Sequence, residues 1–342
     1  MTAKYFRYLL EFKRPSGTSR GVLHEKETFI LEIEENGKKG IGECAVFRGL
    51  SFDDRPDYEK KLQWLCENIY RDYLYLKEEL KEFPSIWFGY EQAVLNLKYG
   101  DHLYFPSEFT DGKSAIVING LIWMGDIQYM EEQILEKLEK GFHCIKLKIG
   151  IDWKSEHKIL QKLREKFPVD ALELRVDANG GFNKEEAQIV LQQLADLHIH
   201  SIEQPIKAGN WSDMAFLCAK TPTPIALDEE LIGIIDPVEK RRLLEIIKPQ
   251  YIILKPALVG GFAGSDEWIS LADEQKIGWW ITSALESNIG LNAIAQYTFT
   301  KKNPMPQGLG TGSLFVNNFE SSLELNNELL WFKTRKIKPL GR

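Results

Sequence analysis

The hydrophobic and polar positions of the chain change their pattern near residue 110. Before this point the segments "YFRYLLEF" and "TFILEIEENGKKGIGECAVF" have the apolar character of strands, and Asn36-Gly37 interrupts the second with a hairpin turn signal. Helical patterns follow, among them "SIWFGYEQAVLNLKYG", with Ser85 as candidate N-cap and Gly100 as its end. Residues 1–110 are therefore predicted to form an α+β domain.

From about residue 114, short apolar strands alternate with amphipathic helices. Two of these helices carry clear start signals. Asn183 and Glu186 form a capping-box pattern, and Asp236 precedes Pro237 at the first helical position. Repeated strand and helix units form parallel sheets, and about seven or eight of them indicate a closed barrel. Residues 111–309 are predicted to form this barrel.

One barrel strand combines apolar residues with two lysines. The stretch "HCIKLKIG", residues 143–150, alternates apolar and charged positions. Successive side chains of a strand point to opposite faces, so Ile145 and Leu147 share one side while Lys146 and Lys148 share the other. The lysine side must therefore face an environment that tolerates two ammonium groups.

Polar residues end the later strands at intervals that match one strand and helix unit. Counted from Lys148, they follow one another after 25 to 29 residues. The carboxyl ends of all barrel strands lie at the same mouth, where such barrels carry their chemistry. The residues predicted to lie at this mouth are Lys148, Asp177, Glu203, Asp228, Lys255 and Ser283.

The charges at the predicted mouth indicate a metal-assisted proton transfer. Three carboxylates on adjacent strands repel one another unless a hard cation such as Mg²⁺ binds between them. A lysine is protonated at neutral pH, and positive charges nearby favour its neutral form, which can accept a proton. The acidic carbon would be adjacent to a carboxylate, because the metal can stabilise the negative charge that develops there. The sequence thus favours proton abstraction, with Lys148 as the base.

Composition narrows the set of partners. The chain has 342 residues, 44% of them hydrophobic and 27% charged, which is typical of a globular protein with a large core. A net charge of -7 argues against nucleic acid or an anionic membrane as partner, and no apolar run is long enough for a membrane helix. The four cysteines show no metal-binding spacing and fit a reduced state, so a cytoplasmic location is expected. Composition does not indicate the oligomeric state.

The motifs "KLK", "VDAN", "IEQP", "LDEE" and "ILKP" together resemble the enolase superfamily, in its muconate-lactonizing branch, over essentially the whole chain. The resemblance implies a (β/α)7β modified TIM barrel with an α+β capping domain, residues 1–110, that is completed by residues from about 310 to 342. Lys148 and Lys255 would be the paired acid/base lysines, with Lys146 as a supporting cation and Asn179 beside the metal. The implied ligands of Mg²⁺, for which Mn²⁺ could substitute, are Asp177, Glu203 and Asp228.

Four further segments, "FKRPSGTSRGVL", "ILKPALVGGF", "SALESNIGLNAIAQ" and "GLGTGSLFVNN", are similar to the o-succinylbenzoate synthases of this branch. The similarity implies syn dehydration of 2-succinyl-6-hydroxy-2,4-cyclohexadiene-1-carboxylate, a small dicarboxylate, to 2-succinylbenzoate in menaquinone biosynthesis. Lys148 would remove the α-proton and then protonate the departing hydroxyl, while Lys255 would stabilise the enediolate. The side chains expected to bind the substrate are Ser16, Thr18, Arg20, Ser283 and Glu286.

Two alternatives remain open at this stage. An N-acylamino acid racemase or a dipeptide epimerase would need the same two lysines, although dipeptide epimerases typically carry a D-x-D motif where this chain has "SALESN". The more remote alternative is a barrel that only binds a ligand. A purely binding barrel would not require two lysines and three carboxylates together.

Overall fold

The computed structural model describes residues 1–18, 21–123, 125 and 127–333, apart from the side chains of residues 15–18 and 127. Its first part is a three-stranded antiparallel sheet, in the order β1-β2-β3, with helices packed against it. This part has the α+β structure that the sequence pattern predicts. Its elements are β1 (Thr2–Thr18), β2 (Gly21–Glu35), β3 (Lys38–Cys44), α1 (Tyr58–Asn68), α2 (Tyr73–Leu80) and α3 (Pro84–Tyr99).

Two turn and cap predictions in this part have different outcomes. The predicted hairpin turn is confirmed, because Asn36 and Gly37 both have positive φ between the paired strands β2 and β3. The prediction that Ser85 caps α3 is wrong, since the helix already begins at Pro84. Proline suits the first helical position, and Ser85 instead donates from its backbone N and Oγ to Asp53 Oδ2, at 2.9 and 2.7 Å.

The described residues of the segment "FKRPSGTSRGVL", residues 12–23, lie in strands. β1 continues to Thr18, and Ser16, Gly17 and Thr18 pair with Leu23, Val22 and Gly21 of β2. The predicted substrate ligand Arg20 lies outside the described residues. For Ser16 and Thr18 only the backbone is described, so their predicted role in substrate binding stays a prediction.

The second part of the chain alternates strands and helices. Its elements are β4 (Ile116–Val117), β5 (Gly120–Ile122), α4 (Ile127–Glu139), β6 (Cys144–Lys148), α5 (Trp153–Lys166), β7 (Glu173–Asp177), α6 (Lys184–Asp196), β8 (Ser201–Glu203), α7 (Trp211–Lys220), β9 (Ile225–Leu227), a 3₁₀ turn (Glu229–Leu231), α8 (Pro237–Ile247), β10 (Tyr251–Leu254), α9 (Pro256–Val259), α10 (Gly261–Glu274), β11 (Gly278–Ile281), α11 (Asn288–Thr300), β12 (Leu323–Asn326) and β13 (Leu329–Phe332).

Seven of these strands form one parallel sheet, in the order β11-β10-β9-β8-β7-β6-β5. The sheet closes through a short extended segment at Gln307 and Gly308. Gly308 N donates to Ile281 O at 2.8 Å on one side, and Gln307 N donates to Val117 O at 2.9 Å on the other. Residues 307–308 thus act as the eighth strand, which confirms the predicted (β/α)7β modified TIM barrel with a capping domain.

The chain returns to the capping domain after the barrel closes. Lys13 N donates to Leu314 O at 2.8 Å, and Val316 N donates to Glu11 O at 2.9 Å, so residues 314–316 lie along β1. The last two strands, β12 and β13, form a small sheet with β4. The predicted boundaries near residues 110 and 309 stay predictions.

Local sequence signals fix the starts of two barrel helices as predicted. Asn183 Oδ1 accepts from Glu186 N at 2.9 Å, and Glu186 Oε2 accepts from Asn183 N at 3.0 Å, which completes the capping box of α6. Asp236 Oδ1 accepts from Val238 N at 2.7 Å at the start of α8. Within the described part of the chain, no helix is both long and apolar enough to cross a bilayer.

Candidate active site

Both faces of β6 are buried, for different reasons. Ile145 and Leu147 belong to the main hydrophobic core. Lys146 and Lys148 point the other way, into the barrel, and are only 6% and 9% exposed. A barrel strand has no solvent face, so the two lysines can remain charged only where they meet acidic partners.

The structure brings the predicted strand-end charges together at the barrel mouth. Lys148, Asp177 and Glu203 are the last residues of β6, β7 and β8, and Asp228 and Lys255 directly follow β9 and β10. The three carboxylates are at most 2% exposed. Parallel strands end at the same edge of a barrel, which explains why residues distant in sequence converge here.

Three lysines neutralise the three carboxylates. Lys146 Nζ lies 3.1 Å from Asp177 Oδ2 and 2.6 Å from Glu203 Oε2. Lys148 Nζ lies 3.1 Å from the same oxygen, Asp177 Oδ2. Lys255 contacts Asp228 and lies 3.6 Å from Glu203 Oε1. The result is a buried network of alternating charges rather than a set of separate ion pairs.

Asn179 links Lys148 to a further acid. Its Oδ1 accepts from Lys148 Nζ at 2.6 Å, and its Nδ2 donates to Glu229 Oε1 at 3.1 Å. Its backbone N donates to Asp177 Oδ1 at 3.1 Å, with a left-handed φ of 44°. Asparagine tolerates this conformation better than most residues, so its side chain is held beside Lys148.

The pKa values at the mouth depart from their ordinary values in opposite directions. Burial raises the pKa of Asp177, but attraction by Lys146 and Lys148 outweighs it and holds that pKa below its usual range. Burial and the repulsion of Asp177 raise the pKa of Glu203 to about 7, against the attraction of the lysines. Two carboxylates in one cluster therefore differ in acidity.

The pKa values of Asp228, Lys255 and Lys146 are shifted as well. Burial raises the pKa of Asp228 against the attraction of Lys255. Burial alone would lower the pKa of Lys255, but Asp228 and Glu203 outweigh it, so that pKa is raised. The pKa of Lys146 is raised because Asp177 and Glu203 outweigh its burial. Lys146 and Lys255 therefore stay cationic in this arrangement.

The donor set is chemically suited to a hard divalent cation. Carboxylate oxygens are the ligands that Mg²⁺ prefers, and Glu203 Oε1 is buried without a hydrogen-bond partner in the structure. In the structure the three carboxylates contact lysines and do not converge on one point. No group of three or more His, Cys, Asp or Glu side chains in the described residues is arranged as a metal site. A cation would have to displace lysine contacts to collect these oxygens.

A cavity of about 90 Å³ opens directly on this network. Lys148 and Lys255 both line it, together with Lys146, Asp177 and Asn179. A larger cavity, of about 570 Å³, lies between α2, α3 and the barrel helices and contains none of the strand-end charges. We place the chemistry in the smaller cavity because the reactive groups are there.

The walls of the small cavity come from both parts of the molecule. Phe47 and Leu50 of the capping domain form an apolar wall that sequence reasoning missed. Phe47 is the last residue of the strand-like segment "GECAVF" and Leu50 follows it, but nothing in the sequence shows that this part of the chain reaches the barrel. Leu121 in β5 and Trp123 directly after it add to the apolar surface.

Another part of the cavity wall contains one of the predicted substrate ligands, Ser283. Ser283 lines the cavity within the segment 282–285, and its Oγ donates to Glu286 Oε2 at 2.5 Å. Glu286 is fully buried and is not among the cavity-lining residues. It also accepts from Ala284 N at 2.8 Å. Glu286 thus supports this wall through its contacts with Ser283 and Ala284, and its predicted contact with substrate stays a prediction.

Glu230, the last residue of "LDEE", has a structural function that the sequence did not indicate. Its Oε1 accepts from Gly209 N at 2.8 Å, and its Oε2 accepts from Gln204 Nε2 at 3.0 Å. Gln204 Oε1 in turn accepts from Asp228 N at 3.2 Å. The buried Glu230 therefore connects the segments after β8 and β9, next to Glu203 and Asp228.

Comparisons with known proteins agree with this geometry. Residues 129–328 match the family model described as "Enolase C-terminal domain-like", and residues 1–97 match "MenC, N-terminal domain". An o-succinylbenzoate synthase of Desulfotalea psychrophila is 44% identical over 96% of this chain and 98% of that protein. The crystal structure of MenC from the same organism has a TM-score of 0.86, with 41% identity over 97% of this chain and 99% of that one.

More distant relatives share the fold with other activities. An N-succinylamino acid racemase of Thermus thermophilus is 36% identical over 80% of this chain and 75% of that protein. The muconate lactonizing enzyme of Pseudomonas putida superposes with a TM-score of 0.78 at 21% identity, over 96% of this chain and 93% of that one, which shows the fold alone. The chain belongs to the enolase superfamily and, within it, to the o-succinylbenzoate synthase (MenC) family.

Proposed function

We propose that the chain is an o-succinylbenzoate synthase that dehydrates 2-succinyl-6-hydroxy-2,4-cyclohexadiene-1-carboxylate to 2-succinylbenzoate, a step of menaquinone biosynthesis. The observation that carries this proposal is the pair Lys148 and Lys255, both lining one cavity above three buried carboxylates. The 44% identity to a synthase over nearly the whole chain supports it. The reaction class is that of a metal-dependent carbon–oxygen hydro-lyase.

Each lysine has a distinct role in the proposed reaction. Lys148 takes the α-proton at Nζ and delivers it to the departing hydroxyl on the same face, which gives syn elimination of water. Lys255 keeps its positive charge beside the carboxylate that becomes electron-rich. Lys146 acts on both lysines indirectly, through its ion pairs with Asp177 and Glu203. Asn179 holds Lys148 in position.

Members of the enolase superfamily are generally Mg²⁺-dependent, and this chain has suitable ligands. Asp177, Glu203 and Asp228 would hold Mg²⁺, or Mn²⁺ in its place. The cation would supply positive charge to the substrate carboxylate as its α-proton leaves. These three side chains lie on neighbouring strands with rigid backbones, which favours a fixed ligand geometry.

One alternative activity on the same scaffold keeps some support. The Thermus thermophilus relative is an N-succinylamino acid racemase, and such a reaction would use Lys148 and Lys255 as two bases on opposite faces of the substrate. The higher identity of the synthase favours dehydration. A dipeptide epimerase activity is less favoured, because this chain has "SALESN" where those enzymes typically carry a D-x-D motif.

The reduced state of the cysteines supports a proposal for the cellular location. The four cysteines, Cys44, Cys66, Cys144 and Cys218, are all free, and three of them are buried. Free thiols are typical of a reducing compartment, so we place the enzyme in the cytoplasm with a small dicarboxylate as substrate.

The test is an assay of the purified protein with the cyclohexadiene substrate beside a panel of N-succinyl amino acids, each with Mg²⁺ and with EDTA. We expect dehydration to be the fastest reaction and to stop in EDTA. Racemisation with a higher kcat/KM than dehydration would assign the chain to the racemases instead. No turnover of either substrate class would contradict both assignments.

A further inference from the structure

A buried glutamate of the capping domain, Glu43, connects the two domains beside the cavity. It lies in β3 and is fully buried. Its Oε1 accepts from Ser287 N at 2.9 Å, and its Oε2 accepts from Ser287 Oγ at 2.5 Å and Gly290 N at 2.9 Å. Thr28 Oγ1, on the neighbouring strand β2, donates to Oε1 at 2.8 Å. Both carboxylate oxygens are thereby saturated.

Two of the donors are backbone N–H groups at the N-terminus of α11, from its N-cap residue Ser287 and from Gly290 in its first turn. A helix N-terminus carries partial positive charge, which makes it a favourable partner for a buried carboxylate. Gly290 permits the contact, because a Cβ at that position would lie 2.8 Å from Glu43 Oε2. The buried ammonium of Lys26, which attracts both Glu43 and Glu286, adds positive charge on the capping-domain side.

The two segments joined by Glu43 run directly into the two walls of the small cavity. On the capping side, β3 ends at Cys44, and Phe47 and Leu50 follow within the next six residues. On the barrel side, Ser287 immediately follows the wall segment 282–285 and its supporting residue Glu286. The Glu43 carboxylate thus connects the two segments that continue into the walls of the cavity.

We propose that Glu43 is a positioning residue for catalysis, because it sets the distance between the apolar capping wall and the Ser283 wall of the cavity. The part of the substrate remote from the reacting carbon lies between these walls, so Glu43 acts on substrate binding without touching the substrate. This role depends on the proposed function for the identity of the substrate.

The molecule contains a matched control. Glu91, in α3 of the capping domain, accepts from Phe262 N at 2.6 Å and Ala263 N at 3.1 Å at the start of α10. Gly261 permits this contact, since its Cβ would lie 2.1 Å from Glu91 Oε2. Glu91 therefore joins the same two domains through the same kind of backbone donors, but it is not among the residues that line the small cavity.

The kinetic test compares Glu43→Gln, Glu43→Ala and Glu91→Gln with the unaltered enzyme. A glutamine retains one acceptor oxygen, so KM for the cyclohexadiene substrate should rise by about tenfold in Glu43→Gln and further in Glu43→Ala, with kcat reduced much less. Glu91→Gln should keep the original KM. An equal change of KM in the Glu43 and Glu91 variants would reduce Glu43 to a general domain contact and overturn its assigned role.

Hydrogen exchange tests the positioning independently of activity and of the proposed substrate. Amide exchange of the segments 45–51 and 282–290 should become faster in Glu43→Gln than in the unaltered protein, while Glu91→Gln leaves both segments unchanged. Unchanged exchange of both segments in folded Glu43→Gln would overturn the role of Glu43. Absence of turnover by the unaltered protein would instead reject the proposed function, and the exchange result would still decide the role of Glu43.

Discussion

The barrel mouth and the domain interface both bury carboxylates, but they satisfy them in different ways. Asp177, Glu203 and Asp228 at the mouth meet lysine ammonium groups at the ends of long side chains. Glu43 and Glu91 at the interface meet backbone N–H groups at the starts of two helices. Glu203 keeps one oxygen without a hydrogen-bond partner, whereas both oxygens of Glu43 are occupied.

This difference separates carboxylates that can change partners from those that cannot. A lysine side chain has several rotatable bonds and can withdraw when a divalent cation or a substrate arrives. Backbone donors at a helix N-terminus are fixed by the fold, so a carboxylate bound to them has a structural role. Burial and charge alone do not distinguish the two groups, and their partners do.

Removing the base at the mouth should have the largest effect. In Lys148→Ala the α-proton has no acceptor on the reacting face, so kcat should fall by about 10² to 10⁴. Exchange of the α-proton with D₂O should be lost together with dehydration. Near-ultraviolet circular dichroism checks that the variant is folded. Persistent exchange in the folded variant would show that another group removes the proton.

Changing the second lysine should have an intermediate effect. Lys255→Arg keeps the positive charge but replaces a compact ammonium with a planar group, so the electrostatic contribution should weaken without vanishing. We expect kcat to fall by roughly 10- to 100-fold, with α-proton exchange still measurable. Symmetric loss of exchange in the Lys148 and Lys255 variants would indicate the two-base chemistry of a racemase.

Glu230 lies next to the mouth but is bound in the manner of the interface acids. Substitution Glu230→Ser removes the acceptor of Gly209 N, whereas Gln204 Nε2 keeps a second acceptor, Ile206 O, at 3.0 Å. A buried donor left unpaired costs about 1 to 3 kcal/mol. The free energy of unfolding should fall by about that amount in urea titrations, with a smaller relative change in kcat than in Lys148→Ala. Unchanged stability would mean that the Glu230 contacts contribute little.

Glu91 should give the smallest effect on activity, and its substitution should instead change how stability depends on pH. Burial raises the pKa of Glu91 to about 8, above its unfolded value, despite two backbone donors. The folded state therefore holds a proton that the unfolded state has lost between about pH 5 and about pH 8, and wild-type stability should decline through that window. Glu91→Gln does not titrate, so the stability of the wild type relative to this variant should fall by up to roughly 5 kcal/mol as pH rises from about 4.5 to about 8. The opposite slope would mean that the helix N-terminus keeps Glu91 ionised.

The sequence predicts the mouth well because strand ends in a parallel barrel recur at regular intervals. Lys148, Asp177, Glu203, Asp228 and Lys255 could be placed from spacing and residue type alone. The capping box at Asn183 could be predicted for a different reason, because it depends only on neighbours in the chain.

Contacts between distant segments could not be predicted in this way. Glu43 contacts residues 244 and 247 positions away, and Glu91 contacts residues 171 and 172 positions away. No local pattern marks such partners. Phe47 and Leu50 were missed because a loop becomes a cavity wall only when two domains meet. Ser85 was misplaced because a tertiary acceptor, Asp53, replaced the expected cap role.

The most direct test of the contrast between the two carboxylate groups is a Mn²⁺ titration followed by electron paramagnetic resonance. We predict that the wild type and Glu91→Gln each bind a single Mn²⁺ with similar affinity, and that Asp228→Asn, which removes one anionic oxygen at the mouth, binds it at least about tenfold more weakly. Equal Mn²⁺ affinity in the wild type and folded Asp228→Asn would contradict the assignment of the mouth carboxylates as the metal ligands.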